Sequence, residues 1–172
     1  RAPAEAASAA YFAAYARFRQ ALAAESDRPA ARGYLEDCIA ELQSVVRQQP
    51  GHAEARALLG SCNGMSTLYG VMATMTRGLE ARRQMAEARR LAPDNPWVVM
   101  QDGLADAAAN RVTVASCLIC IARSRLRSCG VVIADDFLII DPELTLHGIL
   151  SSEPGDAYSR YNACIRQLIS FS

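Results

Sequence analysis

Residues 45–60 read VVRQQPGHAEARALLG, and residues 86–105 read AEARRLAPDNPWVVMQDGLA. Each stretch holds the end of one helical pattern, a proline-marked turn and the start of the next. Upstream of the first, Leu35, Cys38, Ile39, Leu42, Val45 and Val46 recur at three- and four-residue spacing, the apolar face of an amphipathic helix. Pro50-Gly51 stops it. Ala55, Leu58, Leu59 and Cys62 then carry another helix, which loosens at Gly64 and Gly70. Leu79 to Leu91 carries a further one, with Ala81, Met85 and Ala88 on one face. Asn95-Pro96 opens the next, with a capping side chain before a proline whose missing N–H costs nothing at the first helical position.

Toward the N-terminus, Tyr11, Tyr15, Phe18 and Leu22 form one apolar stripe, broken at Asp27-Arg28-Pro29. Five helices joined by short turns predict an all-α fold of antiparallel hairpins.

The two quoted regions also match each other. Cys38-x3-Leu42-x2-Val45-x4-Pro50 aligns with Ala81-x3-Met85-x2-Ala88-x4-Pro93, and Leu59-Gly60 and Asp102-Gly103 follow at the same distance. Over about residues 33–109 the pattern resembles the bacterial type of tetratricopeptide repeat. The resemblance implies a right-handed solenoid of antiparallel hairpins that binds a protein or peptide along the concave face of its first helices. By position it places Glu54, Ala57 and Ser61 on that groove in one repeat, and Trp97, Met100 and Leu104 in the next. The other reading of Trp97 is an aromatic packed under the neighbouring hairpin. Two departures stand out. Pro50 and Pro93 are 43 residues apart, against a repeat period of about 34, and the surplus falls in Asn63 to Gly78 as a lengthened loop or helix. Asp102 also stands where the family usually places Leu. The basic clamp of chaperone-binding members is not visible.

The 172 residues suffice for one domain with a real core. Composition changes at Asn110: residues 1–110 hold 27 Ala and one Ile, whereas residues 111–172 hold 5 Ala, 8 Ile and four of the six Cys. Two regions are therefore expected, a repeat-like domain over 1–110 and a distinct segment over 111–172. In the second, Val112–Ala122 and Val131–Ile140 suit strands, and Asp156 to Ile169 suits a helix. A shifted reading frame or a fusion would produce such a break and leave the segment mixed or disordered. The alternative is a small appended module that caps the last hairpin.

Eighteen Arg balance eighteen acids, so no net field recruits nucleic acid or an anionic membrane. Arg123, Arg125 and Arg127 lack the interleaved aromatics of a nucleic-acid surface. The chain has no lysine, which excludes a Schiff-base lysine and a phosphate-loop lysine within it. The histidines are His52 and His147. Cys117-x-x-Cys120 has metal-ligand or redox spacing, and Cys129 with His147 or Cys164 would complete a zinc set. The other reading makes these cysteines small hydrophobes of an apolar run. Asp135, Asp136, Asp141 and Glu143 suit either a divalent cation or solvated turns. The uncharged, mostly apolar run Val112 to Ala122 has 11 residues, where a membrane span needs about 20. Arg1 in place of Met fits a removed signal peptide, upstream region or cloning leader, which leaves the compartment open between periplasmic or secreted and cytoplasmic, with a slight lean to the periplasm. The sequence thus points to a non-catalytic scaffold for a protein or peptide, without a cofactor. The alternative is a small metal- or thiol-dependent enzyme centred on Cys117 and Cys120.

Overall fold

The computed structural model describes residues 3–24, 26–69, 71–131, 133 and 137–170, and every regular element among them is helical. The order is α1 (Pro3–Ala23), α2 (Arg28–Gln48), α3 (Ala53–Ser66), a 3-10 turn (Thr67–Tyr69), α4 (Val71–Leu91), α5 (Pro96–Ala108), α6 (Val114–Ile121), α7 (Arg123–Ser128), α8 (Pro142–Ser151) and α9 (Ala157–Ser170). The chain divides into two compact units, Arg1–Val98 and Val99–Ser172, with the boundary inside α5.

In the first unit α1 packs on α2, α2 on α3, and α3 on α4. The short turns between long helices make each pair antiparallel. The core follows the apolar spacing: Leu35, Leu42 and Val45 of α2 and Leu58 and Leu59 of α3 are buried, facing Tyr11, Ala14, Phe18 and Ala21 of α1. Each such leucine, fully removed from water, stabilises the fold by about 2 kcal/mol before entropy is counted. Helix starts are written locally. The Asp27 carboxylate accepts from the Ala30 N–H at 3.2 Å, and His52 Nδ1 accepts from the Ala55 N–H at 3.3 Å. Asn95 Oδ1 accepts from the Trp97 and Val98 N–H groups at 2.9 and 3.3 Å.

The surplus between the two prolines is helix. α4 begins at Val71, well before the Leu79 at which the apolar pattern becomes regular. The 3-10 turn ahead of it is held by Arg28, which donates to the Leu68 carbonyl at 2.7 Å and lies over the Tyr69 ring. Gly60 lets α3 and α4 close together, since a β-carbon there would stand 3.1 Å from the Ala81 carbonyl oxygen.

The second unit corrects the strand expectation for Val112–Ala122. This stretch forms α6, because Thr113 and Ser116 make a reciprocal capping box that starts a helix. Its Val, Thr and Ile residues favour strands only weakly, and no neighbouring strand among the described residues offers a ladder. Of Val131–Ile140, the described residues are not strand either, while Asp135 and Asp136 lie outside the described residues. The region after Asn110 is helical with its own core: Cys117, Leu118, Leu146 and Leu150 are buried, and Tyr161, Cys164, Ile165 and Leu168 of α9 pack against them.

A hydrogen-bonded set crosses the composition break. Asp106 of α5, almost fully buried, accepts from the Arg111 guanidinium at 2.6 Å and from the Thr113 hydroxyl at 2.6 Å. Ser116 in turn donates to the Arg111 carbonyl at 2.8 Å.

Candidate functional site

Proline at the first position of α5 fixes the helix start, and the next residue, Trp97, is thereby aimed at α1. Its ring meets Tyr15 edge to face, with centroids 5.5 Å apart and planes at 73°. Both side chains are half-buried. The indole N–H is shielded from solvent and finds no acceptor among the described residues.

One turn back along α1, Tyr11 lies against the His52 ring at 5.0 Å. Burial pushes the Tyr11 hydroxyl well above the usual phenol range, and the nearby Glu54 carboxylate and Tyr15 add to the shift. Glu54, in the first turn of α3, is half-buried and accepts from Asn95 Nδ2 at 3.0 Å. Glu54, Asn95 and His52, with Gln49, Pro50 and Gly51, line an open concavity of about 490 Å³.

The residues expected on the groove do not all share one fate. Glu54, Ser61 and Trp97 are half-buried in the first unit. Ala57 is core: it is fully buried with Ala53, Met85, Ala88 and Val98, because its small side chain lets α3 sit close to α4 and to the start of α5. Met100 and Leu104 are half-buried on α5 in the second unit. Tyr15 meets Trp97 and Asn95 meets Glu54, whereas the sequence pattern assigns Tyr15 to a core stripe and Asn95 to a helix cap. Both assignments hold as far as they go, but neither spacing shows which side chain of another helix will be met.

Two thiols of the second unit, those of Cys117 and Cys164, point away from reactivity. Burial, with the neighbouring Cys120, raises the Cys117 thiol to about 11, whereas nucleophilic and ligating thiols are held as thiolates near neutral pH. Burial also raises the Cys164 thiol. Cys120 is half-buried on the same helix, and Cys129 is exposed at the end of α7. His147 of α8 is engaged elsewhere, with its ring 6.1 Å from Tyr161 and Nδ1 3.4 Å from the Ser151 hydroxyl. Among the described residues, no three His, Cys, Asp or Glu side chains converge as a metal set. Asp141 and Glu143 sit at the start of α8, where Glu143 accepts from the Tyr161 hydroxyl at 3.3 Å.

The chain matches no known protein family, no curated protein and no solved structure. Among its described residues, no helix is long and apolar enough to cross a membrane.

Proposed function

We propose that this chain is a non-catalytic scaffold that binds a protein or peptide segment, on a face made by the first helices of successive tetratricopeptide-like hairpins. The observation that carries this reading is the Tyr15–Trp97 pair beside Glu54. Two partly buried aromatic rings from different helices, packed edge to face, leave part of their surface as an apolar shelf. Such rings anchor protein partners, since they offer large contact area with little side-chain entropy to lose. Glu54 adds one carboxylate, already oriented by Asn95, to receive a basic or N–H group of the partner.

A screen of displayed peptides that contain no tryptophan, followed by calorimetry, tests this. Peptides selected on the wild-type chain are expected to lose at least about tenfold in affinity to a Tyr15→Ala variant, the scale of an aromatic anchor worth more than 1.4 kcal/mol. Binding that survives both Tyr15→Ala and Glu54→Gln would remove the shelf from the mechanism. The thiol-enzyme reading draws no support from the raised Cys117 thiol.

A further inference from the structure

Cys38 lies midway along α2 and Cys62 toward the end of α3, and their sulfurs are joined in a disulfide that closes a chain separation of 24 residues. Both side chains are completely buried, in the same cluster as Leu35, Leu42, Leu58 and Leu59. The bond ties the second helix of one hairpin to the first helix of the next. It therefore spans the α2–α3 joint, adding a covalent link between two helices that a short turn connects and a shared apolar core packs together. The other four cysteines are free, with Cys120 half-buried and Cys129 exposed.

We infer that Cys38–Cys62 is a folding-coupled clamp: it closes before α2 and α3 pack, is then sealed against exchange, and makes the cross-linked state accessible only in an oxidising compartment. Thiol–disulfide exchange needs a thiolate to approach a sulfur directly. A sulfur with no exposed surface offers no such approach, so closure and reduction both pass through an opened α2–α3 joint. The oxidant is a disulfide of the glutathione or dithiol-oxidase class. The Cys38 thiolate attacks one sulfur of it, forming a mixed disulfide and releasing the first thiolate. The Cys62 thiolate then attacks the Cys38 sulfur, forming the clamp and releasing the second. Two electrons pass from the chain to the oxidant, and the two protons lost by the cysteines end on the released thiols. Reducing compartments reverse that balance, which is why such bonds belong to exported chains.

The full chain, refolded with oxidised glutathione, is treated with dithiothreitol while native or in concentrated guanidinium, then alkylated and mapped by mass. Cys129 should alkylate at once. The Cys38–Cys62 bridge should survive in the native chain at least about a hundredfold longer than in the denatured one, as exchange through rare opening requires. Conversely, chain refolded in dithiothreitol and moved into oxidised glutathione should stay unbridged over the same period. A bridge that forms or breaks at equal rates in native and denatured chain overturns the inference, as does alkylation of Cys38 and Cys62 without reductant. In a Cys38→Ala/Cys62→Ala double variant, the guanidinium midpoint should fall while helicity persists. An unchanged midpoint also counts against a clamp. The mapping on the unaltered chain decides the matter even if that variant does not fold.

Discussion

Gly103 of α5 lies directly against the backbone of Ala115 in α6: a β-carbon on Gly103 would stand 2.5 Å from the Ala115 carbonyl oxygen and 2.6 Å from Cγ1 of Ile119. Gly60, 43 residues earlier in the matching segment, meets Ala81 of α4 at 3.1 Å in the same sense. Both glycines stand at close helix crossings, and Gly103 draws its partner from beyond Asn110. Gly103→Ala should destabilise by about 3 kcal/mol, because a helix backbone has to move, and Gly60→Ala by about 1 kcal/mol. Gly78, with nothing within 4 Å of the site of a β-carbon, should gain about 1 kcal/mol on becoming Ala, from helix propensity alone. Urea unfolding of the three variants checks the order. Three equal values would remove the close crossing as their cause.

Asp106 joins residues on the two sides of the composition break, so its removal should be felt mainly beyond it. Asp106→Ala takes the carboxylate acceptor from Arg111 and leaves the Thr113 hydroxyl only Ser116 Oγ at 3.4 Å, and should cost about 2 kcal/mol. Hydrogen exchange should quicken across α6 and leave α2 unaffected. If the segment after Asn110 were never fitted to α5, α6 protection would not change.

His52 caps α3 with a ring nitrogen in a position more often filled by Ser, Asp or Asn. His52→Asn keeps an acceptor and should preserve stability, whereas His52→Ala should cost about 1 kcal/mol in thermal or urea unfolding. Equal losses in both variants would assign the role of His52 to its ring contact with Tyr11 instead.

Alkaline pH should weaken the second unit through Cys117. Burial holds the folded thiol protonated to about 11, whereas an ordinary thiol ionises near 9.0, so the folded chain keeps its proton longer across that interval. Stability is full below pH 9 and declines as the pH rises toward 11, by an amount on the order of 2 kcal/mol. Cys117→Ala should remove that part of the slope. Tyr11, shifted upward as well, acts in the same direction in both proteins. Parallel stability curves for the two proteins above pH 9 would show that Cys117 does not titrate with unfolding.

The helices of the first unit were legible because their information is local: the spacing from Leu35 to Val46 and the caps at Asp27 and Asn95 each act within a few residues. α6 was misread for a reason of the same kind. Val112, Val114, Ile119 and Ile121 carry strand propensity, but Thr113 and Ser116 fix the first turn by two reciprocal hydrogen bonds. The contact between Tyr15 and Trp97 was half legible. Trp97 and Glu54 stand out in the sequence by residue type and helix position, while Tyr15 lies in a stripe whose residues look equivalent until α5 arrives beside one of them. Cys38 and Cys62 are both ordinary apolar-face positions, and no spacing rule announces that they meet.

Trp97 is the one tryptophan in the chain, so the face reports on itself. The measurement that tests the binding proposal most directly is the emission of Trp97 during titration with a selected, tryptophan-free peptide. A saturable shift in emission, matching the calorimetric affinity and weakened together with it in Tyr15→Ala, is the predicted result. A peptide that binds tightly by calorimetry while the Trp97 emission stays unchanged would place binding elsewhere and contradict the proposed face.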